Sequence, residues 1–412
     1  MKILTLDKIY TADKIEFQKS RYKKASEEFE TFFGMKPEYV FSAPGRTEIC
    51  GNHTDHNSGK VLAGGVSLDV IAMVVPTDDN KITIKSEGFE IQPVDLSSTA
   101  PVKTEQNTTE SLIRGMADGF LKNNFRTGGF KAYTTSNVLK GSGLSSSASF
   151  EVLVGTILNG IYNGGQVPDI QIAQIAQYAE NVHFGKPSGL MDQMASSVGG
   201  FITIDFKDEK LPVVRSIDFD FSKSGYTLCI VDTKGNHSDL TPDYSAIPSE
   251  MKSVAEFFGK SVLREITKNE LLENIGKVRQ KCGDRAVLRA LHFFDENERV
   301  ELEEKALEKG DMDEFLKVVN DSGNSSLSYL QNIFSVSSPE QQGLTLALYT
   351  AKSILGNTGA CRVHGGGFAG TIQAFVPNCI LNDFRMETER IFGKGSCYEL
   401  TIRNCGGTKV IF

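Results

Sequence analysis

A short segment rich in glycine and serine, GSGLSSSAS at residues 141–149, follows a strand pattern and opens a helix pattern. Residues 129–137 alternate as a strand does, and residues 150–162 form a strongly apolar helical stretch. A helix N-terminus after such a loop is an anion site, because free N–H groups and the helix dipole point at the ligand. The segment therefore predicts a phosphate-binding strand–loop–helix unit. The alternative is a flexible linker followed by an N-cap, since glycine and serine suit both.

The same segment differs from two common nucleotide motifs. It lacks the lysine of the GxxxxGK[ST] loop, and it is not the GxGxxG pattern with a later ribose-binding acid. The hydroxyls of Ser145, Ser146 and Ser147 could reach phosphates or Mg²⁺. The phosphate-binding interpretation thus depends on backbone and hydroxyl groups.

Residues 43–64, APGRTEICGNHTDHNSGKVLAG, concentrate polar side chains between glycines and a proline. Arg46, Asn52, His53 and Asp55 supply a fork-shaped donor, an amide, an imidazole and a carboxylate. Such a set suits a sugar, whose hydroxyls each donate and accept hydrogen bonds. The composition argues against a core strand and predicts a ligand-binding loop. The alternative is a polar surface loop with capping residues.

Two acidic residues in the segment 180–200 are candidate functional groups. Glu180 ends a predicted helix, and Asp192 follows a Lys-Pro-Ser-Gly turn and precedes small, apolar residues. A partly buried acid in such a setting is a candidate catalytic base or metal ligand. The alternative for Asp192 is that it caps the next helix.

Three further patterns carry less information. The run HGGGFAG at 364–370 indicates that the backbone closely approaches a nucleotide or another element. His53 and His56 have a metal-compatible spacing, but no third ligand cluster accompanies them, so we expect no zinc site. The helix around 289–299 is interpreted as a salt-bridged surface; its polar residues are Arg289, His292, Glu296 and Arg299.

The length of 412 residues predicts two domains, and a boundary falls near residue 206 without a flexible linker. Strand and helix patterns interleave irregularly, which predicts an α+β fold. The 52 acidic residues outnumber the 44 basic ones, giving a formal charge of −8, so we expect no nucleic-acid binding.

The cysteines and the apolar runs predict where the protein works. Seven widely spaced cysteines without a CxxC pair argue against a disulfide framework and favour a reducing cytoplasm. The first residues do not have the pattern of a signal peptide, and no apolar run is long enough to span a membrane. We therefore expect a cytoplasmic protein without a membrane partner.

Taken together, the motifs resemble the GHMP family of small-molecule kinases, and galactokinases most of all. Galactokinases carry GR-x-N-x-I-G-E-H-T-D-Y-N-x-G-x-V-L-P, where this chain has GRTEICGNHTDHNSGKVLA. Their GxGLSSSA loop matches GSGLSSSAS, and their GGGFGG run matches GGGFAG. AENVHFGKPSGLMDQ and RALHFFDENER also match family segments, so the likeness extends over nearly the whole length.

The resemblance implies a role for each matching residue. Asp192 corresponds to the carboxylate that accepts the proton of the sugar C1 hydroxyl, and Arg46 to the arginine that stabilises the transition state. Ser147 and Glu180 correspond to the Mg²⁺ ligands. The implied sugar-binding residues are Asn52, His53, Asp55 and Tyr244; the implied nucleotide-binding residues are Gly141, Ser142, Gly143, Leu144, Ser145, Ser146, Ser147 and Ser86.

The sugar end of the chain departs from the family pattern. Asn52 replaces the acid that helps to hold a distal sugar hydroxyl, and an amide offers no charge-assisted acceptor. In the same motif Glu48 replaces Asn, Cys50 replaces Ile and His56 replaces Tyr. The surroundings of Tyr244 also agree poorly with the family.

The resemblance implies an ATP-dependent sugar 1-kinase that makes galactose 1-phosphate, with ATP and Mg²⁺ as co-substrate and cofactor. It also implies a two-domain GHMP kinase fold: an N-terminal domain (1–205) like domain 2 of ribosomal protein S5, and a ferredoxin-like C-terminal domain (206–412). A monomer is favoured. Two alternatives remain open: the same chemistry on another sugar, and a non-catalytic sugar sensor.

Overall fold

The computed structural model describes residues 1–138, 144–208, 211–235 and 240–412, and these residues contain thirteen strands and thirteen α-helices. The strands are β1 (Lys2–Thr5), β2 (Tyr39–Cys50), β3 (Lys60–Thr77), β4 (Lys81–Ser86), β5 (Val94–Asp95), β6 (Gly129–Ser136), β7 (Phe201–Asp205), β8 (Val213–Ile217), β9 (Tyr226–Asp232), β10 (Ala360–His364), β11 (Thr371–Pro377), β12 (Cys397–Leu400) and β13 (Thr408–Ile411). The helices are α1 (Leu6–Ile9), α2 (Ile15–Phe33), α3 (Thr109–Lys122), α4 (Ser146–Tyr162), α5 (Asp169–Tyr178), α6 (Met191–Val198), α7 (Thr241–Phe257), α8 (Lys268–Glu273), α9 (Ile275–Cys282), α10 (Asp284–Lys309), α11 (Met312–Ser325), α12 (Gly343–Leu355) and α13 (Leu381–Phe392).

The first sheet is built around the long strand β3. Its strand order is β1-β13-β2-β3-β6-β4-β5, and β7 pairs with the first half of β3 and carries β8. Helices α3, α4 and α5 cover one face with a core that includes Phe120, Leu153 and Ile172. The last strand, β13, lies between β1 and β2 in this sheet, so both ends of the described chain reach the first sheet.

The second sheet has the strand order β10-β11-β9-β12 and is antiparallel throughout. Helices α12 and α13 pack on it through Leu344, Ala351 and Phe384. Numbered along the chain, the order is that of a ferredoxin-like βαββαβ sheet, with α7–α12 inserted in the first crossover. The α+β prediction and its ferredoxin-like part are confirmed. The division at residue 205 stays a prediction.

The expected loop at 43–64 is wrong for much of its length. Residues 43–50 belong to β2 and residues 60–64 to β3, and only the turn between them is a loop. All of residues 43–50 are buried. Register shifts between β2 and β3 after Pro44 and after Glu48 explain the irregular pattern, because bulges re-aim side chains along a strand.

Side chains of the second sheet satisfy the buried polar groups of β2. Gln373 donates to the Thr47 hydroxyl at 2.7 Å and to the Glu48 carbonyl at 3.0 Å. Arg362 pairs with the Glu48 carboxylate at 3.1 Å, and a ring nitrogen of His364 lies 3.0 Å from the Thr47 hydroxyl. A polar strand can therefore be buried here, because each polar group meets a partner from a distant part of the chain.

Other elements lie close to their predicted positions. The helix predicted at 12–33 is a 3-10 turn followed by α2, and Gly34 ends it in a left-handed conformation (φ +67°). The helix predicted from 150 starts at Ser146. Within the part of the chain that the structure describes, no helix is both long and apolar enough to cross a membrane.

Candidate active site

The centre of the site is an ion pair between Arg46 on β2 and Asp192 in the first turn of α6. The guanidinium donates from Nε and from one terminal nitrogen to the two carboxylate oxygens, both at 2.7 Å. The hydroxyl of Ser196 donates to the carbonyl of Pro44 at 2.6 Å, which ties α6 to the bulged part of β2. The bidentate pair therefore has fixed geometry on two rigid elements.

Opposing effects set the protonation of Asp192. Burial raises the pKa of this carboxyl, but the charge and hydrogen bonds of Arg46, with help from the Ser145 side chain, bring the pKa below its ordinary value. Asp192 is thus a carboxylate at neutral pH. Its side chain keeps 30% of its surface exposed, so an incoming hydroxyl can reach it.

The predicted phosphate segment lies next to this pair. The backbone N–H of Arg46 donates to the carbonyl of Leu144 at 3.1 Å, and Ser145 (φ +52°) precedes the first residue of α4, Ser146. The N-terminus of α4 therefore opens beside Asp192, as an anion site requires. The predictions for Gly141, Ser142 and Gly143 lie outside the described residues. Ser86 ends β4, and its partners there are Thr134 and Phe89.

Glu180, the second predicted acid, is held in a network behind α6. Glu180 lies in a short π-helical segment, Ala179–Phe184, that directly follows α5, and the residue is 4% exposed. One carboxylate oxygen accepts from Lys186 at 3.1 Å; the other accepts from Ser188 at 2.6 Å and from Gln193 at 2.7 Å. Gln193 follows Asp192 in α6, so one helix turn orients both predicted acids.

Asp55 lies close enough to Asp192 for their charges to interact. Burial and the nearby charge of Asp192 raise the pKa of the Asp55 carboxyl, although the His53 ring opposes this. A Cβ added at Gly189, three residues before Asp192, would lie 2.9 Å from an Asp55 carboxylate oxygen. The turn before α6 therefore packs closely against the Asp55 side chain, which would have to shift to accommodate a larger residue at position 189.

The glycine run of the third predicted motif contacts other residues that were predicted to bind the sugar. A ring nitrogen of His53 lies 2.9 Å from the Gly366 carbonyl, and the Tyr244 hydroxyl donates to the Gly367 carbonyl at 2.8 Å. A Cβ at Gly366 would lie 2.7 Å from the Tyr244 ring, and one at Gly367 would lie 2.1 Å from the carbonyl oxygen of Asn332. The close approach predicted for the glycine run is confirmed.

Asn52 is buried among protein partners. Its amide nitrogen donates to Glu48 at 3.0 Å and to the Gly365 carbonyl at 2.7 Å, and its amide oxygen accepts from Asn332 at 2.7 Å. The residue is 1% exposed. The structure thus groups Asn52, His53 and Tyr244 around residues 365–367, while Arg46 and Asp192 lie beside the phosphate segment.

Helix α10 forms hydrogen bonds with both ends of the turn between β2 and β3. The sequence analysis did not predict this role. Glu296 accepts from the backbone N–H groups of Gly51 at 3.1 Å and Asn52 at 3.4 Å, and His292 lies 3.0 Å from the Asn52 carbonyl. Asn297 accepts from the N–H of Lys60 at 2.7 Å. One helix therefore fixes both ends of the turn that carries His53 and Asp55.

The interpretation of this helix as a salt-bridged surface is wrong. Arg289, His292 and Glu296 are each at most 1% exposed. Burial lowers the pKa of His292 to about 4, so its ring is neutral. Burial alone would raise the pKa of Glu296, but the guanidinium charges of Arg299 and Arg362 hold that pKa well below its usual range. The match of RALHFFDENER to a family segment indicated that these residues matter. Their i, i+4 spacing, however, does not show which face of the helix is buried.

Glu303, further along α10, is a buried acid that takes no part in the hydrogen bonds between this helix and the turn after β2. It is 0% exposed, and neither carboxyl oxygen has a hydrogen-bond partner of normal geometry among the described residues. Burial raises the pKa of this carboxyl well above its ordinary value despite the attraction of Arg362. The folded protein therefore holds a proton on Glu303 at pH values where the unfolded chain has released it.

This proton gives a pH-dependent stability. Because the folded state binds more protons above the ordinary pKa of glutamate, the free energy of unfolding falls as pH rises, by at most about 1.4 kcal/mol per pH unit. We expect Glu303→Gln to remove this slope and to be more stable than the wild type at pH 7–8, with the advantage shrinking toward pH 4.5. Urea unfolding across this range measures it.

The matched control is Glu308→Gln, which makes the same change at an exposed position of the same helix. It should leave the pH dependence as it is in the wild type. A Glu303→Gln variant with the wild-type slope would show that Glu303 is ionised in the folded protein.

Comparison with known proteins supports a kinase class. Residues 111–200 match the model of the GHMP kinases N terminal domain. The fold is shared by the Methanococcus jannaschii mevalonate kinase, with 14% identity over 89% of this chain and 98% of that one (TM-score 0.64). It is also shared by a Streptococcus pneumoniae phosphomevalonate kinase solved with phosphomevalonate and AMPPNP, with 13% identity over 88% and 99% of the two chains (TM-score 0.58). Residues 111–200 therefore resemble the GHMP kinase family, and the chain shares the fold of these kinases.

Within that family the likeness to galactokinases has two sources. Residues 27–76, which include β2 and the turn after it, match the galactokinase galactose-binding signature. The Lactococcus lactis galactokinase, solved with galactose, has the same fold, with 24% identity over 94% of this chain and 99% of that one (TM-score 0.79). The family resemblance and the GHMP kinase fold expected from the motifs are thereby confirmed.

Proposed function

We propose that the protein transfers the γ-phosphoryl group of ATP to the C1 hydroxyl of galactose, giving galactose 1-phosphate and ADP. The observation that carries the proposal is the bidentate Arg46–Asp192 pair, which lies beside the N-terminus of α4 and on the strand that leads into the turn with His53 and Asp55. An ionised acid next to a helix N-terminus suits attack of a hydroxyl on a phosphate. The galactose-binding signature at residues 27–76 supports galactose as the acceptor.

In the proposed reaction Asp192 accepts the proton of the C1 hydroxyl as its oxygen attacks the γ-phosphorus. The new O–P bond forms while the bond from the γ-phosphorus to the bridging oxygen breaks, and ADP leaves with that electron pair. Arg46 keeps Asp192 ionised and lies where negative charge spreads over the phosphoryl oxygens. Little covalent chemistry is asked of the protein, so positioning and charge stabilisation provide the rate.

The residues proposed for Mg²⁺ are compatible with that ion. Glu180 and Ser147 offer the hard oxygen ligands that Mg²⁺ prefers, and Mg²⁺ commonly needs only one or two carboxylates together with phosphate oxygens. Among the described residues no three His, Cys, Asp or Glu side chains converge as a metal site. The Glu180 carboxylate already attracts a cation, the ammonium of Lys186, whose side chain is 59% exposed. When bound, Mg²⁺ would neutralise phosphate charge.

The test is an ADP-release assay with ATP, Mg²⁺ and a panel of monosaccharides. Galactose-dependent ADP release, with the product identified as the 1-phosphate, is the expected result. Binding of ATP and sugar without ADP release would contradict catalysis and support a sensor. Turnover only with another sugar would keep the chemistry and overturn the substrate.

A second candidate, the same transfer to a different sugar, is favoured by one observation. Both donors and the acceptor of the Asn52 amide are engaged by Glu48, Gly365 and Asn332. The position where the family pattern has an acid therefore offers no free charged acceptor to a sugar hydroxyl.

A further inference from the structure

Two departures from the galactokinase motif turn out to be in contact. The motif has Asn at position 48 and Glu at position 52, and this chain has Glu48 and Asn52. The Asn52 amide donates to a Glu48 carboxylate oxygen at 3.0 Å, and the two residues are 7% and 1% exposed. The acid and the amide have exchanged places within one buried pair, so the two substitutions are not independent.

The surroundings of the pair fix which residue type fits at each position. Arg362, itself 0% exposed, donates to the same Glu48 oxygen at 3.1 Å. The Asn52 amide also donates to the Gly365 carbonyl at 2.7 Å. A carboxylate at position 52 with Glu48 in place would face two acceptors, which costs free energy in a buried site. The two positions can therefore change only together.

We propose that Glu48 and Asn52 act as one exchanged pair that selects the sugar. This inference rests on the proposed function. The negative charge lies at position 48, neutralised by Arg362, and position 52 presents only a neutral amide next to His53. A sugar hydroxyl at this end loses a charge-assisted partner. The pair therefore lowers the preference for galactose over a sugar with one hydroxyl fewer, for which 6-deoxygalactose is the probe.

The first part of the test is a double-mutant cycle on stability. The four proteins are the wild type, Glu48→Asn, Asn52→Glu and the double exchange. We expect each single variant to melt several degrees below the wild type, because one removes the carboxylate that pairs with Arg362 and the other adds a second buried carboxylate. The double exchange should recover most of the loss. Melting temperatures that fall by the combined amount of both single variants would overturn the pairing.

The second part compares galactose with 6-deoxygalactose in the wild type and in the double exchange. We expect the ratio of kcat/KM for galactose to that for the deoxy sugar to rise at least about tenfold in the double exchange, since a charge-assisted hydrogen bond contributes about 1.4 kcal/mol or more. The same ratio in both proteins would overturn the role in selection, even if the single variants fail to fold.

A separate measurement distinguishes this inference from the proposed function. The shift in melting temperature that each sugar produces reports binding without turnover. If the wild type phosphorylates none of the panel, the proposed function fails, and a change in the ranking of these shifts between wild type and double exchange still supports selection by the pair. An unchanged ranking contradicts it. The control is Glu399→Asn, which removes the carboxylate partner of Arg385 in a partly exposed pair. It should change neither the melting-temperature differences of the cycle nor the ranking of the sugars.

Discussion

Replacing Asp192 by asparagine will lower kcat for sugar phosphorylation by about 10²- to 10⁴-fold, the range for general-base assistance. The amide has nearly the shape of the carboxylate, so it can still accept one hydrogen bond from Arg46. It cannot take up the proton of the attacking hydroxyl. We therefore expect the KM for the sugar to change far less than kcat, which steady-state kinetics at saturating ATP will measure.

The control for this prediction is Asp220→Asn, the same substitution at a surface carboxylate that accepts from the backbone and hydroxyl of Ser222. It should keep the wild-type kcat. A near-normal kcat in Asp192→Asn would contradict the role of proton acceptor. A large rise in KM at unchanged kcat would show that Asp192 holds the sugar instead.

Replacing Glu296 by alanine will lower the free energy of unfolding by about 3–5 kcal/mol, as expected when one partner of a buried ion pair is removed. The Arg299 guanidinium loses its partner at 2.7 Å, and the N–H groups of Gly51 and Asn52 lose their acceptor. The freed turn carries His53 and Asp55, so the KM for the sugar should rise more than the KM for ATP. Denaturant unfolding and initial rates at varied sugar and ATP measure both effects.

Glu298→Ala is the matched control, because Glu298 lies two residues away on the same helix with its side chain 66% exposed. We expect a change within about 0.5 kcal/mol. Glu296→Gln retains the shape without the charge and should lie between the wild type and the alanine variant. If Glu296→Ala raises both KM values equally, the helix supports the whole site and not the sugar turn in particular.

The parts predicted best from the sequence depend on local signals. The periodicity of 12–33 and the strand–loop–helix order around 129–162 are set by neighbouring residues, and the structure has α2, β6 and α4 close to these ranges. Arg46 and Asp192 were identified from their motifs and are brought into contact. Local patterns thus predicted the elements, whereas the pairing of Arg46 with Asp192 followed from the family resemblance.

The parts that were missed depend on partners far away in the chain. Residues 43–50 read as a polar loop because their buried polar groups are satisfied by Arg362, His364 and Gln373, more than 300 residues later. The polar face of α10 read as solvated because its acceptors face the turn after β2. No local propensity reports such pairings, since burial of a polar group depends on the partner that the tertiary fold supplies.

The position of β13 has a consequence for the folding of the first sheet. This strand, Thr408–Ile411, lies between β1 and β2, and it pairs with Ser42 and Phe41 on the strand that carries Arg46. The pairing joins two segments that lie far apart in the sequence, so it closes a loop that contains most of the described chain. Closing so long a loop costs conformational entropy, and contacts of this kind slow folding. We therefore expect β2 to acquire this neighbour late in folding, after the strands that lie near it in the sequence have paired.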